Sequence, residues 1–128
     1  MRYLADTNIL SQQDTDPKIR NWVMQHFLAI SVSSITVAEI VQGIEGMPAG
    51  KRRRQLEAAL EEIIADYEIV PFGTAEAREW GKYVNRVGRP VPVLDSLIAA
   101  TALANNLEVV TENSNDFPNV ATVNPAKS

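Results

Sequence analysis

The sequence predicts an α/β fold, with a parallel β-sheet and helices packed against both of its faces. Two observations carry this. Short apolar runs rich in β-branched residues alternate with amphipathic stretches of helical length, and no hairpin signal joins one run to the next. A chain of 128 residues, 45% of them apolar, is of a size to form one domain over residues 1–128 around a continuous core.

The elements follow in order. Residues 2–5 form a short apolar run that ends in the turn and cap residues Asp6-Thr7-Asn8, so a first strand is expected there with a helix soon after. Asp16-Pro17 has the form of an N-cap with proline at the first helical position. Ile19, Trp22, Val23 and Phe27 then recur at helical spacing and are expected to face the core. Residues 28–32 predict a second strand, and Thr36-Val37-Ala38-Glu39 fits a capping box opening the next helix. Between residues 51 and 67, Leu56, Ala59, Leu60, Ile63, Ile64 and Tyr67 make an apolar stripe of helical period.

Residues 68–72 predict a third strand, and Ala77, Trp80, Val84 and Val87 mark a helix that Gly88-Arg89-Pro90 stops. Residues 94–105 are apolar on nearly every side, which predicts a helix buried by its neighbours. Residues 107–111 and 120–123 are the last expected strands, separated by the polar stretch 112–119. Trp22 and Trp80, which base-stacking might otherwise claim, sit at core spacing.

Composition narrows the chemistry. With no cysteine and the single histidine His26, neither disulfides nor a thiolate or His-rich metal site is available, so any metal must be held by oxygen. Oxygen donors suit hard cations such as Mg²⁺, Mn²⁺ or Ca²⁺. A net charge of −4 argues against a protein that coats nucleic acid by bulk attraction, although residues 51–54 form one concentrated basic tract, read first as a solvated helix start. The chain shows no signal peptide and no transmembrane run, and the absence of cysteine suits a reducing cytoplasm.

In open parallel sheets, ligands bind beyond the carboxyl ends of the strands. Asp6 ends the first strand, Glu39 lies in the expected first turn after the second, and Asn113 and Asp116 follow the fourth. Asp95 opens the buried helix and is expected at the same rim. Each has an ordinary alternative as a turn, capping-box or helix-cap residue. Together they form a group of carboxylates that a divalent cation would stabilise, because like charges about 4 Å apart repel by roughly 1 kcal/mol in water and more in a drier site. One or two Mg²⁺ ions suit such a set, and Thr7, Asn8, Ser96 and Thr111 are placed to orient carboxylates or waters.

The motifs Leu4-Ala5-Asp6-Thr7-Asn8, Thr36-Val37-Ala38-Glu39-Ile40-Val41-Gln42-Gly43, Leu94-Asp95-Ser96-Leu97-Ile98-Ala99-Ala100-Thr101-Ala102 and Val110-Thr111-Glu112-Asn113-Ser114-Asn115-Asp116-Phe117 resemble those of the PIN-domain nucleases. The chain is most similar to the VapC-type toxins of toxin–antitoxin pairs, over residues 2 to about 125. The resemblance implies a three-layer α/β/α sandwich with a mostly parallel sheet, Mg²⁺- or Mn²⁺-dependent cleavage of tRNA or rRNA, a homodimer, and a cognate antitoxin that occupies the active site. It makes Asp6, Glu39 and Asp95 the metal-binding acids, with Asp116 favoured as the fourth and Asn113 as a polar ligand. In one respect the chain departs from the pattern. Many relatives carry a basic residue between Thr111 and Asn113, whereas here Glu112 would repel phosphate.

Two other readings compete. In a phosphatase or phosphotransfer receiver Asp6 would be a nucleophile, but such proteins need a second acid nearby and often a late lysine. Position 8 is Asn, and no lysine lies between Lys82 and Lys127. A non-catalytic binding module on the same scaffold would tolerate loss of Asp6 or Asp95.

Overall fold

The computed structural model describes residues 2–127. Its five strands are β1 (Tyr3–Ala5), β2 (Ile30–Ser33), β3 (Glu68–Val70), β4 (Glu108–Val110) and β5 (Thr122–Val123), arranged in one sheet in the order β3-β2-β1-β4-β5. Every neighbouring pair is parallel: Tyr3 pairs with Ile30 and with Glu108, Ser31 with Glu68, and Val109 with Thr122. The helices are α1 (Thr7–Gln12), α2 (Pro17–His26), α3 (Ser34–Glu45), α4 (Lys51–Asp66), α5 (Thr74–Val87) and α6 (Val93–Ala104).

Strand alternation builds the layers. Leu4, Val70 and Val109 point to one face, where they pack with Tyr83 of α5 and Ile98, Ala99 and Ala102 of α6. Their neighbours Ala5, Ile69 and Val110, with Ile30 and Val32, point to the other. There they meet Ile9 and Leu10 of α1, Ile19, Trp22 and Val23 of α2, and Ile63 of α4. A strand apolar on both faces needs a helical cover on each, so the expected three-layer α/β/α arrangement follows from the side-chain period alone.

The helix ends show which local signals operate. Asp16 caps α2 by accepting from the Lys18 N–H at 2.9 Å, with Pro17 at the first helical position, and Gly88 ends α5 in the left-handed region at φ 71°. Two expectations change. Phe27 is 37% exposed and stands on a 3₁₀ turn (Phe27–Ala29) that delays β2 to Ile30, leaving Leu28 95% exposed. The capping box at Thr36 does not form. Ser33, the last residue of β2, caps the helix through the Ile35 N–H at 3.0 Å, so α3 begins earlier and Glu39 falls in its second turn. The polar stretch 112–119 also buries Phe117, which joins the α5/α6 side of the core.

The chain runs outward from β1 to β2 and β3, then returns to β4 on the opposite side of β1. Crossovers therefore leave in opposite directions from β1 and β4, and their carboxyl ends flank a crevice.

Candidate active site

Asp6 follows directly from β1, fixed by its backbone N–H donating to Val110 O at 2.9 Å across the crevice. It occupies the N-cap position of α1, but its side chain makes no cap bond. Oδ2 instead accepts from the Thr111 hydroxyl at 3.0 Å, and that hydroxyl oxygen accepts from the Asn113 backbone N–H at 2.9 Å. A hydroxyl has a single proton, so Thr111 must spend it on Asp6. Asp6 is only 5% exposed. Burial raises its pKa, the bonds from Thr111 and the Thr7 backbone pull it back, and the charges of Glu39 and Asp116 raise it again.

Glu39 is held by Thr7, whose hydroxyl lies 2.9 Å from Oε1 and 3.1 Å from the Thr36 hydroxyl. By the same single-proton argument Thr7 donates to Glu39 and accepts from the buried Thr36. Position 36 was legible as a cap residue, not as this support. The one available signal is a polar side chain three residues before an acid on the same helix face.

Asp95 lies in the first turn of α6, whose cap position is Pro92 and offers no side-chain acceptor. Burial, followed by the charges of Asp6, Asp116 and Glu39, pushes the Asp95 carboxyl up to about 6. All three charges that act on it are negative. Asp116 ends a 3₁₀ turn (Ser114–Asp116) after β4 and, like Glu39, acts on both Asp6 and Asp95. The four expected acids therefore share one electrostatic site.

The polar residues around them divide. Thr7 and Thr111 orient carboxylates directly. Ser96 does not: its hydroxyl donates to Val93 O at 2.5 Å and accepts from Trp80 Nε1 at 2.9 Å, which pins the turn carrying Asp95 to α5. Trp80, expected as packing alone, thus has a polar role too. Asn113 contributes its backbone N–H, while its side chain and that of Asn8 are exposed and make no hydrogen bond among the described residues.

Among the described residues no three acidic groups are already drawn together into a cluster that could hold a metal ion. The donor set nonetheless fits a hard divalent cation. It is all oxygen, it is partly desolvated, and Asp95 is crowded by anions with no cation acting on it.

The family profile described as PIN domain matches residues 3–123. The chain belongs to the PIN-domain family. This PIN domain is 31% identical over 124 residues to the VapC ribonuclease Y4jK of Sinorhizobium fredii, covering 89% of each chain. It is 26% identical over 125 residues to the tRNA(fMet)-specific endonuclease VapC of Shigella flexneri, covering 94% of this chain and 92% of that one. Among solved structures it superposes on FitAcB from Neisseria gonorrhoeae with a TM-score of 0.84 and 30% identity, covering 96% of this chain and 97% of the other. The chain is thus a VapC-type PIN domain.

Proposed function

We propose that this PIN domain is a toxin endoribonuclease that hydrolyses RNA phosphodiester bonds, in tRNA or rRNA, with Asp6, Glu39, Asp95 and Asp116 holding Mg²⁺ or Mn²⁺. The observation that carries the reading is the electrostatic action of Glu39 and Asp116 on Asp6, and of all three on Asp95, at the crevice between β1 and β4. The same reading includes a cognate antitoxin, a homodimer and a cytoplasmic location. No helix among the described residues is long and apolar enough to cross a membrane.

When bound, the cation would supply a nucleophilic water at neutral pH and charge stabilisation for the phosphate and the departing oxygen. The chain's own contribution is placement. Thr111 fixes the rotamer of Asp6 and by hydrogen bonding favours its ionised form; the Thr36–Thr7 pair does the first of these for Glu39; the Trp80–Ser96 bond holds the turn that presents Asp95. Burial and the neighbouring acids hold the Asp95 carboxyl high when no metal is bound, so a cation would relieve the crowding there.

Purified protein incubated with total tRNA is expected to cleave it with Mn²⁺ or Mg²⁺ and to stop on chelation. Asp6→Asn and Asp95→Asn are each expected to remove that cleavage while the circular dichroism spectrum stays unchanged. A folded double variant that still cuts RNA would overturn the assignment.

A further inference from the structure

An enzyme whose site consists of carboxylates must still attract a polyanion. The loop after β4 adds a further acid, Glu112, between Thr111 and Asn113. Resting on the nuclease reading above, we infer that Arg89, which enters from a different element, supplies a positive charge and binds a backbone phosphate of the RNA at the rim of the site.

Arg89 follows the C-terminal glycine of α5, in the short connection to α6. Its Nη2 donates to Asn115 O at 2.7 Å, in the turn that ends with Asp116. Its Nη1 lies 3.5 Å from Pro90 O, at the outer limit of a hydrogen bond. The guanidinium is thereby fixed against the same loop that carries Glu112, Asn113 and Asp116. It also shares a neighbour with the acids, since Arg89 and Asp95 both act on the buried Tyr83.

Both acceptors are neutral carbonyls, and Arg89 makes no ion pair among the described residues. Nor does it figure among the charges acting on Asp6 or Asp95. Its charge is therefore not consumed by the carboxylates. Arg89 is exposed, and a guanidinium has five N–H donors, so those not turned to Asn115 and Pro90 can meet the paired oxygens of a phosphate. Two other basic groups are already engaged by acids. Arg86 is engaged by Glu79 at 3.5 Å, and within residues 51–54 Arg53 is tied to Glu45, Glu57 and Met47 O at the α3–α4 connection.

The alternative is that Arg89 only braces the loop. Arg89→Gln separates the two, because glutamine keeps an N–H donor for Asn115 O and loses the charge, whereas Arg89→Lys keeps the charge. Binding of a fluorescein-labelled single-stranded RNA would be followed by anisotropy at several salt concentrations with Mg²⁺ present, in an Asp6→Asn background so that the probe stays whole. Arg89→Gln and Arg89→Ala are expected to weaken binding roughly tenfold and to reduce the slope of log Kd against log salt by about one, with Arg89→Lys near the parent. In otherwise unmodified protein, Arg89→Gln should raise KM for total tRNA more than it lowers kcat. A parent-like salt slope in Arg89→Gln overturns the inference. So does a loss of slope that Arg89→Lys shares. Failure of the unmodified protein to cleave RNA with metal would instead sink the nuclease reading, while the anisotropy series would still judge Arg89 by itself.

Discussion

At the scale of single residues, the site is an arrangement of charges kept close against their repulsion, and two substitutions expose this. Asp95 has a folded-state pKa near 6 against an ordinary 3.8, so the folded chain binds more protons than the unfolded chain between those values. Metal-free stability must then fall as pH rises from about 4 to 6, because ionising Asp95 is harder in the fold. Asp95→Asn should raise the metal-free stability at pH 7, by on the order of 1 kcal/mol once solvent screening is allowed for, and with it the melting point, and should make no difference below pH 4. Thermal melts of both proteins at the two pH values check it. Thr111→Val removes a donor that favours the ionised form of Asp6, so metal affinity is expected to drop by about tenfold or more, with the larger deficit at lower pH. Calorimetric Mg²⁺ titrations at two pH values would reveal it, and equal affinity would show that the hydroxyl is incidental.

At the scale of elements, what matters is how neighbouring helices are fastened to hold the rim. Glu76 accepts from the Gly73 N–H at 2.9 Å and from Asn105 Nδ2 at 3.0 Å, fastening the first turn of α5 to the end of α6. The Gly73 bond is the first cause that holds its carboxyl below the usual range. The stability it confers is therefore full above about 4.5 and is lost as pH falls through the depressed folded value. Glu76→Ala should cost about 2 kcal/mol at pH 7 in urea unfolding and progressively less under acid conditions. The expected helices were legible because their signals are local: Asp16-Pro17 and Gly88 stand at the ends of α2 and α5. The start of α3 was not, because Ser33 and Thr36 both offer a cap, and the choice depends on where β2 releases the chain. Phe27 kept helical spacing but left the core when the 3₁₀ turn changed the rotation per residue.

At the scale of the whole molecule, binding and folding are coupled. A cation that needs the folded rim stabilises only the folded chain, so Mg²⁺ should raise the melting point with concentration, and chelation should reverse it. Asp6→Asn is expected to shrink that rise, since it removes one donor from the site. An identical shift in the variant would place the metal elsewhere. The alternation of strand faces, visible as apolar pairs such as Leu4 with Ala5 and Val109 with Val110, fixed both helical layers in advance. Side-chain period is a property of the backbone and needs no tertiary information. The candidate acids were legible for a related reason, since carboxylates after strands one and four must share an edge in any parallel sheet. Which hydroxyl serves which acid was not legible. Thr7 meets Glu39, Thr111 meets Asp6, Ser96 turns to Trp80, and Arg89 reaches the loop of Asp116. Those pairings join residues far apart in the chain, and the direction of a short polar side chain depends on how the elements pack around it. The amino-acid order alone determined layers, strands and the family of the chemistry; three-dimensional packing decided the orientation, proton placement and charge balance on which that chemistry runs.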